Sequence, residues 1–196
     1  LLGVNGHNMK SGKMEDDDWQ KLSEAKALIM NSPLYIDDRS LNLSEIRPML
    51  IKEKAEFGLS HVVFDYESLI NAPGKDEIEK SANTSVTLKQ ISQDLDISIM
   101  LLSSVNKGGM DKDSGYASKS DIRGSGQKIH DADIVYIITK FDNSKGMEYG
   151  IRIDDYDKTI LLHIKKGREL VGIENGFIPY TRIDNTPSFK EIVKSK

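Results

Sequence analysis

Apolar residues are spaced along this chain in two patterns that predict different elements. Short unbroken apolar runs are typical of buried strands, and apolar residues three or four positions apart are typical of helices. Strands are expected at residues 33–38, 60–66, 98–105, 133–141, 159–166 and 177–184. Helices are expected at residues 16–30, 44–57, 76–95 and 127–131. Because helices alternate with buried strands, we predict an α/β fold with a mainly parallel twisted sheet and helices on both faces.

Polar residues between these elements set their boundaries. The acidic cluster at residues 16–18 favours a helix start, because acids are stabilised near the positive end of a helix. Ser44 is the expected N-cap of the next helix, and Gly58 is expected to end it. Residues 1–14 are expected to form a loop. Residues 106–126 are expected to form a long functional loop, since loops of this length inside a compact domain usually carry function.

Length and composition narrow the functional classes. The chain has 196 residues, enough for one domain with a core, and no cysteine, so a disulfide framework and a thiol nucleophile are excluded. A net charge of −4 argues against a generic basic nucleic-acid coat but is compatible with DNA held in a narrow channel. The four histidines form no pair at zinc-ligand spacing. The absence of cysteine fits a reducing cytoplasm. No apolar run approaches the roughly 18 residues of a membrane span, so we expect no membrane contact.

One predicted strand ends in an acid. Asp65 follows the apolar residues of the strand at 60–66, and ligands of an open parallel sheet bind beyond the carboxyl ends of its strands. A carboxylate there can hold Mg²⁺ directly or through water, and the ion can bridge nucleotide phosphates. The alternative is that Asp65 only caps the strand or a turn.

A later stretch combines glycine with a basic residue. Ser-Asp-Ile-Arg-Gly-Ser-Gly at residues 120–126 places Arg123 beside Gly124, Ser125 and Gly126. Glycine lets backbone N–H groups approach a phosphate closely, and arginine adds a charge-assisted hydrogen bond. Such contacts follow a nucleic-acid backbone without reading its bases. The alternative is a helix N-terminus behind a loop, with Arg123 in an ordinary salt bridge.

Three motifs resemble the C-terminal motor domain of bacterial and phage replicative DNA helicases of the DnaB type. Val-Phe-Asp-Tyr at residues 63–66, followed by Leu-Ile at 69–70, is similar to the Walker B strand of that family. Leu-Leu-Ser-Ser-Val-Asn-Lys at residues 101–107 is similar to its next motif. Residues 120–135, which end in Asp-Ala-Asp-Ile-Val, are the closest match and resemble its DNA-binding loop. The resemblance continues upstream through residues 9–38.

The resemblance implies a RecA-like P-loop NTPase core that uses ATP and Mg²⁺. Asp65 would hold the metal, and Lys166 with Arg168 would reach the γ-phosphate bound by the adjacent subunit. The register is open, because Lys165 and Lys166 can be aligned instead, and a basic β-turn facing water is the alternative. Ser104 stands where the family usually has a glutamine that senses the γ-phosphate or links it to the DNA loops. Its shorter side chain puts that link in question.

For nucleic acid, the resemblance implies that Lys107, Arg123, Gly124, Ser125 and Gly126 hold the backbone of single-stranded DNA. Gly124 departs from the family, which usually has glutamate there. Further implied partners are other copies of the protein in a ring hexamer, a primase and a helicase loader. The implied setting is the cytoplasm of a bacterium or of a phage-infected host.

Two motifs of such a motor do not occur in the sequence. No Gly-x-x-x-x-Gly-Lys-Ser/Thr loop is present to grip phosphates, and the catalytic glutamate of the family is missing, since both motifs would lie before Leu1. We therefore expect residues 1–184 to be a partial RecA-like helicase domain without its Walker A unit, and residues 185–196 to be a polar tail. The fragment alone is expected to be inactive in ATP hydrolysis.

The intact protein is accordingly predicted to be an ATP-dependent replicative DNA helicase, which unwinds duplex DNA by translocating on one strand. One alternative is a RecA- or recombinase-like ATPase that shares the core but does not unwind duplex. Another is a non-catalytic RecA-like fragment that binds DNA or a partner. An unwinding assay separates the helicase from the ATPase that does not unwind. Salt-dependent binding of single-stranded DNA by the fragment, with no Walker A loop in the intact protein, would favour the non-catalytic alternative.

Overall fold

Helices alternate with short strands along the described part of the chain. The computed structural model describes residues 4, 6–105, 122, 125–141, 158–168, 176–184, 186 and 188–192. The helices are α1 (Gly6–Ser11), α2 (Asp16–Met30), α3 (Leu43–Phe57), α4 (Glu77–Leu95) and α5 (Ser125–Asp131). The strands are β1 (Leu41–Asn42), β2 (His61–Phe64), β3 (Ile70–Asn71), β4 (Ser98–Leu101), β5 (Ile134–Lys140), β6 (Thr159–Gly167), β7 (Phe177–Arg182) and β8 (Phe189–Glu191). A 3-10 turn, Glu67–Leu69, lies between β2 and β3.

Parallel pairing brings together strands that are separated by helices in the chain. β2 and β4 pair in parallel, with Phe64 opposite Leu101, and β1 and β3 pair in parallel with Leu41 opposite Ile70. A further sheet has the strand order β5-β6-β7-β8, in which β7 and β8 are antiparallel. The alternation of helices with strands and the two parallel pairs confirm the predicted α/β class.

Local capping chemistry fixes the ends of the two central helices. α3 begins after Asn42, not after the predicted Ser44, because Glu45 lies three residues beyond Asn42 and completes a capping box. Its carboxylate accepts a hydrogen bond from the Asn42 backbone N–H at 3.0 Å. The prediction that Gly58 ends this helix is confirmed, since Gly58 adopts a left-handed φ of 68°. α4 begins at its cap Asp76, whose carboxylate accepts the backbone N–H of Glu79 at 2.8 Å.

Three local predictions near the start of the chain and at β2 differ from the structure. Residues 6–11 form α1 where a loop was expected. Residues 33–38 form no strand where one was expected, since no described strand pairs with them and Ile36 is 82% exposed. The expectation that β2 is buried on both faces is wrong for the described residues, since Phe64 is buried but Val63 is 60% exposed.

The chain divides into two compact units that are described separately. One comprises Arg39–Ile137 and His163–Gly176. Its core lies where α3 and α4 cover the face of β2 that carries Phe64. The buried members of this core are Leu43, Ile46, Leu50, Phe64, Ala72, Leu88, Ile91 and Ile97. Apolar burial of this kind is the main stabilising term of such a unit, at about 25 cal/mol per Å².

The other unit comprises Leu1–Asp38, Ile138–Leu162 and Phe177–Lys196. β7 and β8 form a hairpin here, with Tyr180 opposite Glu191. Lys158 and Asp184 form an ion pair of 2.7 Å in the same unit. Residues 189–191 therefore include a strand within the segment expected to be a polar tail, while the proposed boundary near residue 184 stays a prediction. Among the described helices, none combines the length and the apolar character needed to cross a membrane.

His163 provides a test of the buried environment in β6. The residue is 2% exposed, and burial together with the positive charge of Lys165 lowers its pKa from 6.5 to about 4. Below pH 6.5 the His163 imidazole is therefore protonated in the unfolded chain, whereas in the folded chain it stays neutral down to about pH 4. We expect this residue to contribute stability that is present above pH 6.5 and falls by about 3 kcal/mol as the pH drops towards 4.

The measurement is urea unfolding of the wild type and His163→Gln across that pH range. Other titrating groups are common to both proteins, so they cancel in the difference between the two curves. The variant should lose the part of the pH slope that His163 causes, whatever its overall stability. Equal slopes in the two proteins would contradict the buried neutral state.

Candidate functional site

The carboxyl ends of β2 and β4 form one edge that is tied by backbone hydrogen bonds. The Leu102 N–H donates to the Phe64 carbonyl at 3.0 Å, and the Glu67 N–H donates to the Leu102 carbonyl at 2.9 Å. Asp65 and Tyr66 lie between these two bonds. The parallel register therefore places Asp65 beside the residues that follow β4, as expected for a ligand-binding edge.

Asp65 is exposed at this edge, and among the described residues its carboxylate has no hydrogen-bond or ion-pair partner. Within the described part of the chain, its carboxylate therefore caps neither the strand nor the turn. Mg²⁺ in nucleotide sites keeps several waters and takes only one or two protein carboxylates. A single accessible carboxylate fits that ion, and the described residues contain no cluster of three acids or histidines that would hold a metal by themselves. Ser104 is also exposed on the loop after β4.

A buried charged network lies directly behind this edge, and sequence reasoning missed it. Glu67 accepts hydrogen bonds from Ser81 at 2.7 Å, from Ser103 at 2.8 Å and from Nζ of Lys128 at 2.5 Å. Nζ of Lys128 also donates to the Ser103 hydroxyl at 2.9 Å. Lys128 is 8% exposed as a whole residue. Glu67 and Lys128 are separated by 61 positions in the chain, so no local sequence pattern predicts their contact.

Lys166 and Arg168 lie at the C-terminal end of α5. Nζ of Lys166 donates to the carbonyl oxygens of Ile129 at 2.6 Å and His130 at 2.9 Å. Arg168 donates to the His130 carbonyl at 2.9 Å and to Oδ1 of Asp133 at 3.2 Å. Positive charge at the carbonyl end of a helix is favourable, because the helix dipole is negative there. Both predicted finger residues therefore hold α5 within their own chain.

The strand geometry separates Lys165 from this pair. Successive side chains of a strand point to opposite faces, so Lys165 shares its face with His163, and Lys166 lies on the opposite face of β6. The charge of Lys165 accordingly contributes to the lowered pKa of His163. Lys165 and Lys166 thus have different surroundings, and only Lys166 contacts α5 among the hydrogen bonds given above.

Two aspartates attach the other side of α5 to α4. Asp131 accepts hydrogen bonds from Ser85 at 2.8 Å and from Gln127 at 2.8 Å. Burial alone would raise the pKa of Asp131, but these hydrogen bonds and the neighbouring His130 outweigh it, and its pKa is lowered. Nζ of Lys89 on α4 lies 2.6 Å from Oδ2 of Asp133.

The pKa of Asp133 is lowered mainly by its hydrogen bond from Lys89. Burial opposes this shift, and the charges of Lys89, Arg168 and Lys166 add to it. The carboxylate is therefore held ionised between Lys89 of α4 and the cations at the end of β6, Lys166 and Arg168.

The residues predicted to bind DNA are described only in part. Lys107, Arg123 and Gly124 lie outside the described residues. Ser125 begins α5, although its side chain is not described, and Gly126 is exposed in the first turn of that helix. A Cβ atom added at Gly126 would meet nothing within 4 Å, so packing within the described chain does not require glycine there.

Comparison with known proteins decides the family. Residues 2–172 match the DnaB-like helicase C terminal domain. The chain belongs to this family. Bacillus subtilis (strain 168) replicative DNA helicase DnaC is 33% identical over 143 residues, and Geobacillus stearothermophilus replicative DNA helicase DnaB is 32% identical over 143 residues. Each comparison covers 71% of this chain and 32% of the relative, so the chain spans about a third of the length of the relatives it matches.

Solved structures agree on the fold. The chain matches "The Structure Of A DnaB-Like Replicative Helicase And Its Interactions With Primase" with a TM-score of 0.77 and 22% identity, covering 92% of this chain and 44% of that one. It also matches the solved structure of an ATPase domain with a TM-score of 0.80 and 21% identity, covering 97% of this chain and 66% of that one. The predicted RecA-like α/β fold and the predicted DnaB-type resemblance are thereby confirmed.

The contacts of Asp133 lead to a pH-dependent prediction. Asp133→Asn should lower the free energy of unfolding at pH 7 by about 0.2–1 kcal/mol, the range of exposed ion pairs, because Lys89 and Arg168 lose a charged partner. A depressed folded-state pKa gives stability above the unfolded value of about 3.9 that is lost as the pH falls through the folded value. The deficit of the variant should therefore disappear in acid.

Urea unfolding at neutral pH and in increasingly acid buffer measures this deficit. Glu56→Gln is the matched control, since Glu56 is an exposed acid of α3 with no ion pair among the described residues. The control should stay close to the wild type at neutral pH. A deficit of Asp133→Asn that persists unchanged in acid would show that the Asp133 charge is not its cause.

Proposed function

We propose that this chain forms part of the motor of an ATP-dependent replicative DNA helicase, in which Asp65 holds Mg²⁺ for the nucleotide. One observation carries the proposal: Asp65 is exposed and has no partner among the described residues, at a strand edge fixed by Leu102, in a member of the DnaB-like family. A bound Mg²⁺ would neutralise charge that develops on the phosphates. The residues of this chain would orient that ion and the loop beside it.

The positions of the remaining polar residues support a division of roles. Ser104 is exposed on the neighbouring loop and is proposed to face the nucleotide. The start of α5, with Gly126 open to approach, is proposed to hold the backbone of single-stranded DNA together with Lys107, Arg123, Gly124 and Ser125. We extend this to a ring hexamer that contacts a primase and a loader in the cytoplasm of a bacterium or phage-infected host. The interaction with primase is named for one structural relative.

Lys166 and Arg168 are proposed to act on the nucleotide of a neighbouring copy. The Arg168 side chain is 47% exposed, so part of it faces solvent although it also contacts α5. Lys165 is the alternative partner in this role, and its different strand face makes it the weaker candidate. An arginine finger is typically worth about 10³- to 10⁵-fold in rate.

The first test is DNA-stimulated ATP hydrolysis by the intact protein. Asp65→Ala should abolish it, because the ion loses its carboxylate, whereas Glu56→Ala on α3 should leave it unchanged. A duplex-unwinding assay on the same preparations distinguishes a helicase from a RecA-like ATPase that does not unwind. ATP hydrolysis by Asp65→Ala at the wild-type rate would contradict the proposal.

The second test mixes two inactive variants to find where the finger acts. Asp65→Ala and Arg168→Ala should each be inactive alone. If Arg168 acts on a neighbour, a mixed ring contains some interfaces with both residues intact, and about a quarter of the wild-type activity should return on equal mixing. Lys52→Ala, an exposed charge change on α3, is the control and should be active alone. No recovery on mixing would place Arg168 outside the neighbouring site.

A further inference from the structure

A buried ion pair joins α5 to the turn that follows Asp65. The side chains of Lys128 and Glu67 are 9% and 13% exposed, and their charged atoms lie 2.5 Å apart. We propose that Lys128, Glu67 and Ser103 are positioning residues that transmit the placement of α5 to Asp65, so that DNA bound at the start of α5 raises the rate of ATP hydrolysis. This inference rests on the proposed function and assigns the coupling within it to named residues.

The Glu67 end of the contact is fixed from three directions. Its Oε1 accepts from Ser81 of α4 at 2.7 Å, and its Oε2 accepts from Ser103 at 2.8 Å as well as from Lys128. Its backbone N–H donates to the Leu102 carbonyl at 2.9 Å. Glu67 can therefore not move independently of the loop that follows β4, which also carries Ser104.

Asp65 is linked to Glu67 through a short tethered segment. Only Tyr66 separates the two residues, and the segment is closed on its other side by the bond from the Leu102 N–H to the Phe64 carbonyl at 3.0 Å. A shift of Glu67 must consequently alter the placement of Asp65. The exposed carboxylate at the strand edge and the buried carboxylate behind it thus belong to one tethered turn.

The α5 end of the contact lies within one turn of the proposed DNA-binding residues. α5 begins at Ser125, and a helical turn contains 3.6 residues, so Gly126 and Lys128 move together. The far end of α5 is held by Lys166 through the carbonyl oxygens of Ile129 and His130. A displacement at the start of the helix is therefore passed to Lys128 and is not absorbed by free motion at the far end.

The chemistry of the contact favours a positioning role over a purely stabilising one. Two well-packed apolar side chains of similar size often stabilise a protein as well as a buried ion pair does, because they avoid the cost of removing charges from water. An ion pair with a shared hydroxyl differs in being directional, since Lys128, Glu67 and Ser103 satisfy each other only in one arrangement. Stability and geometry can therefore be separated experimentally.

The decisive variant replaces both charges by apolar residues in the intact protein. Glu67→Leu combined with Lys128→Met removes the directional contact and leaves no unpaired buried charge. We measure the thermal midpoint, the affinity for a single-stranded DNA oligonucleotide, and kcat and KM for ATP with and without that DNA. We expect a midpoint and a DNA affinity near those of the wild type. We expect the stimulation of kcat by DNA to fall by about 5- to 150-fold, the usual range of coupling between two sites.

The matched control is the exposed ion pair between Arg47 of α3 and Asp94 of α4, with a separation of 2.7 Å. Arg47→Gln combined with Asp94→Asn should leave both the midpoint and the stimulation unchanged. A folded Glu67→Leu/Lys128→Met protein with wild-type stimulation would overturn the inference, because the network would then serve stability alone.

A second pair of variants applies if the double variant does not fold. Ser103→Ala removes the hydroxyl that links both charges with little change in volume, and Ser103→Thr retains it. Reduced stimulation in Ser103→Ala with retention in Ser103→Thr would support the inference, and equal stimulation in both would overturn it. The proposed function fails separately, if the wild type shows no ATP hydrolysis that depends on Asp65, and the inference then falls with it.

Discussion

Two backbone hydrogen bonds at Leu102 organise the strand edge that carries Asp65. They join the loop after β4 to both ends of the segment that carries Asp65. The parallel register of β2 and β4 makes this possible, because it brings the two carboxyl ends to the same level. The core below, built from α3, α4 and Phe64, holds the strands in that register. A polar ligand at the edge therefore meets a geometry that is set before it arrives.

The ion pair of Glu67 and Lys128 is buried in the same unit as this apolar core. Removing two charges from water is costly, and their mutual attraction offsets that cost only when the remaining hydrogen-bonding groups are also satisfied. Here Ser81 and Ser103 supply those additional bonds. The loss of either Glu67 or Lys128 would consequently leave the other charge buried without its ionic partner. Such a contact resists small distortions more strongly than an apolar contact of equal area.

How much the sequence predicts depends on whether the determining contacts are local. The end of α3 at Gly58 and the cap of α4 at Asp76 follow from neighbouring residues, and Asp65 was identified because it directly follows a strand. The strand predicted at residues 33–38 was wrong, because no pattern within that stretch reveals that it lacks a pairing strand. Glu67 and Lys128 were missed for the same reason, as their significance lies in a contact across 61 positions. The family resemblance identified the DNA-binding loop motif at residues 120–135, but it did not indicate which residues hold α5 in place.

α5 lies between two charged contacts, the Lys128–Glu67 ion pair at its first turn and the Lys166 and Arg168 side chains at its last turn. Lys128 holds its first turn through Glu67, while Lys166 and Arg168 hold its last turn through main-chain carbonyl oxygens. Arg168 has five N–H donors, and its bonds to Asp133 and His130 use two of them. A phosphate can therefore bind the remaining donors while the guanidinium still holds α5. The same helix begins with the residues proposed to contact DNA, so a change at its last turn and a change at its first turn act on one rigid element.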